Sequence, residues 1–66
     1  MKNRLKVERA EHNLSQADLA DRIGVSRQTI NSIETGRYVP STILALKLAQ
    51  VFNKAVEYIF TLEETD

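Results

Sequence analysis

Gln16-Ala-Asp-Leu-Ala-Asp-Arg-Ile-Gly-Val-Ser-Arg-Gln-Thr-Ile-Asn-Ser-Ile-Glu-Thr35 is the stretch from which the rest of the chain can be read. Two short helical patterns stand back to back in it, with Gly24-Val25 between them. Leu19, Ala20 and Ile23 share one face of the first, and Ile30 and Ile33 share one face of the second. So short a link excludes an antiparallel hairpin of helices, and the two must meet at a steep angle, as in a helix-turn-helix. Ala20 falls where the second helix crosses the first, and a larger side chain there would push them apart. Gly24 falls where the first helix must stop in a left-handed conformation that penalises a Cβ. Val25 then turns inward, and Ser26 caps the next helix.

The boundary chemistry repeats on both sides. Ser15 and Asp18 have capping-box spacing, and Leu14 and Leu19 occupy the paired apolar positions that set how the chain runs into a helix. Val25 and Ile30 flank Ser26 in the same way. With Arg27 at zero and about 100° per residue, Ile30 and Ile33 point to about 300° and 240°. Opposite them lie Arg27, Gln28, Asn31, Ser32 and Thr35, a face without an aliphatic residue. A solvated helix usually carries Glu and Lys there. Amide, hydroxyl and guanidinium groups are instead the types that pair with base edges: Gln or Asn with adenine, Arg with guanine.

The segment resembles the helix-turn-helix of the phage repressor, Cro and Xre group of regulators. The likeness extends through Leu14-Ser15-Gln16, Ser26-Arg27-Gln28-Thr29-Ile30, Ile33-Glu34-Thr35-Gly36-Arg37 and Pro40-Ser41, so it covers nearly the whole chain. It implies an all-α, compact five-helix domain of the lambda-repressor type over residues 1–66, with the helix-turn-helix at 16–35. In short relatives the two termini sometimes pair as short strands. The docking mode of the group puts the N-terminal part of the third helix in the major groove. Arg27 and Gln28 are then the leading base readers, with Asn31 and Ser32 deeper along the helix. Gln16, Ser26, Thr29, Thr35, Arg37 and Tyr38 are the expected phosphate contacts, Gln16 through the exposed start of its helix. The resemblance also pairs Arg9 of the first helix with Glu34.

Composition agrees with one small domain whose core needs help. There is no cysteine, which excludes disulfides and thiolate metal sites. No apolar run approaches a membrane span and no signal-peptide core follows Met1, so a cytoplasmic protein is expected. Net charge is zero, but it is unevenly spread. All nine Lys and Arg lie within residues 1–54 against five acids, whereas residues 55–66 hold four acids and no base. That asymmetry suits a positive working face and an acidic far end.

The remaining elements follow in order. A first helix is expected over 4–12, with Leu5 and Val7 on a broad apolar face. His12 has only Glu8 near it as a second ligand, which does not make a metal site, so no metal or other cofactor is expected. Ser41 caps a fourth helix to about Phe52, burying Leu44, Ala45, Leu48, Ala49 and Phe52 and leaving Ile43 outside. A last helix over 55–60 lacks a capping hydroxyl at its start. Apolar bulk in the acidic tail points to a homodimer through residues 53–66, with Val56, Tyr58, Ile59 and Leu62 at the contact. Two recognition helices would then read a palindromic DNA operator. The expected function is a sequence-specific, double-stranded DNA-binding transcriptional regulator, most simply a repressor. An antitoxin with a protein partner, or an interaction module that has lost DNA binding, are the alternatives. An enzyme is not expected, since one His and no Cys leave no nucleophile–base pair.

Overall fold

The computed structural model describes all 66 residues. The order is β1 (Lys2–Asn3), α1 (Leu5–Glu11), α2 (Gln16–Ile23), α3 (Arg27–Glu34), α4 (Thr42–Phe52), α5 (Val56–Ile59) and β2 (Phe60–Thr61). Five helices thus surround one core, and β1 pairs antiparallel with β2, Lys2 opposite Thr61 and Asn3 opposite Phe60. The Arg4 N–H continues the seam by donating to the Ile59 carbonyl at 2.9 Å.

Three helices start on a serine whose hydroxyl accepts from the backbone N–H three residues on: Ser15 from Asp18, Ser26 from Thr29 and Ser41 from Leu44. Ser15 completes a capping box, its own N–H donating to the Asp18 carboxylate at 3.1 Å. Each bond satisfies one of the donors that a helix leaves unpaired at its start. The stops are left-handed. Gly24 ends α2 at φ +74°, and Gly36 follows α3 at φ +79°. Asn13 and Asn53, the non-glycine type most tolerant of this conformation, turn the chain after α1 and α4.

Leu5, Leu19, Ala20, Ile23, Ile30, Ile33, Leu48, Ala49, Phe52, Ile59 and Phe60 make the core. Each fully buried Leu, Ile or Phe contributes roughly 1.5–3 kcal/mol by leaving water. Leu44 and Ala45 are only partly buried at its edge. Asn3 ties the seam to α3: its amide N–H donates to the Ile33 carbonyl at 2.9 Å, and its oxygen accepts from the Leu5 N–H.

Four expectations need correction. α1 is one residue shorter at each end, and α5 covers only Val56–Ile59, because Ala55 offers no side-chain cap. Val7 is exposed rather than part of a broad apolar face. Glu8 lies inward in its place, because three-residue spacing from Leu5 puts it on the core side. Ile59, expected at a subunit contact, is fully buried in its own protomer, where the short α5 turns it under the core.

Candidate nucleic-acid interface

The outer face of α3 is built by its inner one. Ile30 and Ile33 are anchored in the core, so Arg27, Gln28 and Asn31 stand exposed, with Ser32 and Thr29 half-buried beside them. Two shallow depressions meet on this surface. Ser26, Gln28, Thr29, Ser32 and Tyr38 line one, and Gln16, Arg27, Gln28 and Asn31 line the other. Gln28 belongs to both, so the eight residues form one polar strip along the helix. No acidic side chain lines it.

Several expected contact groups already have partners within the protein. Ser26 Oγ accepts from the Thr29 N–H at 3.1 Å and lies 2.9 Å from Thr29 Oγ1. Thr35 Oγ1 donates back to the carbonyls of Asn31 and Ser32, at 3.0 and 3.3 Å. The Ser32 carbonyl also accepts from the N–H groups of Arg37 and Tyr38, which fixes the loop after α3 beside the strip. Tyr38 is half exposed there, and the Arg37 side chain is exposed outside both depressions.

Behind the strip runs a polar chain. Arg9 donates from Nε to Glu34 Oε2 at 2.5 Å, from Nη2 to Oε1 at 3.1 Å, and from Nη1 to the Leu14 carbonyl at 2.9 Å. The ion pair is largely out of water, with Glu34 only 6% exposed. The Glu34 hydrogen bonds hold the Arg9 guanidinium above its ordinary range, outweighing the opposite effect of partial burial. Gln16 adds a bond from Nε2 to the same Glu34 Oε1 at 3.2 Å and another to Asn31 Oδ1 at 3.1 Å. Both N–H groups of its amide are thereby used. The group left at this corner for an anion is its backbone N–H, at the first position of α2. At the same corner the Ser15 N–H, and then its hydroxyl, hold the Asp18 carboxyl below its usual range.

On the far side, Tyr58 is held between two cations, 4.8 Å from the Arg4 guanidinium and 4.5 Å from Lys54 Nζ. Leu62 is exposed, and Val56 is partly buried against the core. Sequence reasoning missed Glu8, whose carboxylate has no exposure and lies between Lys54 Nζ at 3.4 Å and Arg4 Nη2 at 3.7 Å. Its spacing of four from Arg4 was the available signal. His12 turns Nδ1 to the Glu8 carbonyl at 2.9 Å and its ring edge to Phe52. No cluster of three or more His, Asp or Glu side chains is placed to hold a metal ion, and no helix is long and apolar enough to cross a membrane.

The comparisons with known proteins agree with this arrangement. The helix-turn-helix family matches residues 5–59. An HTH-type transcriptional regulator of Methanocaldococcus jannaschii is 54% identical over 66 residues, the full length of both chains. One from Bacillus subtilis is 48% identical over 64 residues, 97% of each chain. The crystal structure of the restriction-modification controller protein C.AhdI from Aeromonas hydrophila matches with a TM-score of 0.77 at 30% identity, over 85% of each chain. A serine-capped helix laid across its neighbour at Gly24, a polar outer face and these relatives lead to one assignment: the chain belongs to the Xre-type helix-turn-helix family of DNA-binding transcription regulators, which is not a family of enzymes.

Proposed function

We propose that the protein acts in the cytoplasm as a homodimeric repressor, occupying a palindromic operator with one α3 in each of two successive major grooves. The observation that carries this reading is the outer face of α3, where Arg27, Gln28 and Asn31 are exposed and no aliphatic or acidic side chain interrupts them. Arg27 and Gln28 are the principal base readers, with Asn31 and Ser32 completing the strip. Arg37 and Tyr38, together with the backbone N–H at Gln16, meet phosphates. Ser26, Thr29 and Thr35 act at the same edge, their hydroxyls shaping the backbone there as well as facing the duplex.

The dimer is supported by apolar surface left outside the core. Val39, Ile43 and Leu46 are exposed around the start of α4, and Tyr58 and Leu62 around the tail. Val56 lies beside the first group, because it borders a depression with Val39, Leu46 and Phe60. A second copy covering Val56, Tyr58 and Leu62, with Leu46 alongside, would set the two recognition helices about one DNA turn, roughly 34 Å, apart.

Selection of bound sites from random duplexes tests the reading. A palindromic consensus with two half-sites one helical turn apart is expected, with a dimeric mass in solution at micromolar concentration. Leu46→Glu should lower both the mass and the affinity for the full site while leaving the helical signal intact. Equal binding to all duplexes would overturn the assignment of sequence reading, and a monomeric wild type would overturn the dimer.

A further inference from the structure

Glu8 is a buried charge that neither the apolar core nor the α3 surface accounts for. It has no exposure, yet neither of its carboxylate oxygens has a hydrogen-bond partner. Buried oxygens of this kind cost stability, so their presence calls for a use other than holding the fold. Lys54 Nζ stands 3.4 Å from Oε1 and Arg4 Nη2 stands 3.7 Å from Oε2, both just beyond a good hydrogen bond. The same two cations contact the Tyr58 ring, so an amine, a carboxylate and a guanidinium are gathered at one spot. The Lys54 and Arg4 side chains are 35% and 43% exposed, so a solute reaches them although Glu8 is sealed.

We propose that Lys54 is a site of lysine acylation, with an acyl phosphate as donor, Glu8 as base and Arg4 as the seat of the phosphate. The inference is independent of how α3 reads DNA. A lysine amine attacks only after losing a proton, and the unengaged lone pairs of Glu8 Oε1 are the acceptor beside it. The amine nitrogen then bonds the acyl carbon. The bond from that carbon to the phosphate oxygen breaks, and its electron pair leaves with the phosphate. A second proton passes from the nitrogen to this leaving group, and the third stays on the nitrogen. The products are a neutral amide and hydrogen phosphate, and Glu8 returns its proton to water. Arg4 supplies planar paired donors, the geometry that suits phosphate oxygens. Acylation removes a charge and a cation–π partner, which leaves Glu8 with Arg4 alone and slackens the hold on Tyr58 of α5.

The test is acetyl phosphate added to the whole protein, with the acetyl occupancy of each lysine followed in time by peptide mass spectrometry. Lys54 should react at least about tenfold faster than the exposed Lys2, Lys6 and Lys47, a modest share of what a positioned base supplies. Glu8→Gln should bring Lys54 down to the rate of the other three. An ordinary ion pair gives the opposite result, because a carboxylate that only neutralised the ammonium would restrain the amine, and its removal would quicken Lys54. Glu8→Leu gives the same readout if the glutamine variant unfolds. Arg4→Gln should slow Lys54 with acetyl phosphate but not with the uncharged donor N-acetoxysuccinimide. A Lys54 no faster than the other lysines, an unchanged or quickened Lys54 in the Glu8 variants, or an Arg4 variant that treats both donors alike would overturn the inference.

Discussion

Arg9 and Glu34 meet fork to fork, Nε on Oε2 and Nη2 on Oε1, across the gap between α1 and the end of α3. Paired donors on a planar cation fix the orientation as well as the distance. The pair thereby sets where the last turn of α3 lies relative to α1. Arg9→Ala or Glu34→Ala leaves the other charge in a mostly dry place and should cost about 3–5 kcal/mol. Urea unfolding of the two single variants and the double variant measures the coupling. A coupling near zero would show that the pair is solvated.

Glu8 makes a second ion pair of a different kind. Its carboxylate is buried without a hydrogen bond, near two cations that are themselves partly in water. Removing its charge together with its polarity should therefore be tolerated. Glu8→Leu is expected to match or exceed wild-type stability, whereas Lys54→Ala should destabilise by less than the roughly 3–5 kcal/mol of a fully buried pair, since Arg4 remains. Midpoints of urea unfolding decide this, and marked destabilisation by Glu8→Leu would contradict it.

The Asp18 carboxyl is held below its ordinary value by Ser15, so folding favours its ionised form. This contribution is fully present above the unfolded value of about 3.9 and is lost as pH falls through the lower folded one. The stability gap between wild type and Asp18→Asn should accordingly narrow as the solution is acidified from about pH 5 downward. Thermal melts across that range provide the check. A gap that widens with acid would mean that the box does not hold the carboxylate. Ser15→Ala, which removes the other half, should cost about 1 kcal/mol.

Base and phosphate contacts separate by their sequence dependence. Arg27→Ala and Gln28→Ala should each lose about 1–3 kcal/mol on a selected site and relax preference at one base pair. Arg37→Ala should weaken selected and random duplexes by similar factors and reduce the salt slope by about one. Titrations of both duplexes at several salt concentrations distinguish these outcomes. Equal loss on both for Arg27→Ala would remove it from the base readers.

What could be read from sequence was mostly local. The serine caps and the stop at Gly24 need only their neighbours along the chain, and the capping atoms sit where their spacing puts them. The polar outer face of α3 follows equally directly from the positions of Ile30 and Ile33. For Glu8 the spacing from Leu5 and Arg4 was readable, but its other cation, Lys54, was not, because it lies far along the chain. Ile59 looked like a subunit contact because an apolar side chain in a short tail carries no sign of whether its own core or a partner will cover it. The direction of the Gln16 amide was hidden for the same reason. It is set by a carboxylate eighteen residues away, which in turn is set by an arginine on another helix.

The seam between Lys2–Asn3 and Phe60–Thr61 has a kinetic consequence. Closing it joins segments nearly the whole chain apart, whereas α2 and α3 are neighbours in sequence, so the helix-turn-helix can assemble early and the seam zips late. A ribbon of two residues per strand also frays easily. Deuterium should accordingly enter its amides long before those of α2 and α3. Parting it loosens Asn3, whose amide donates to the Ile33 carbonyl, so breathing at the chain's two ends is felt in the last turn of α3.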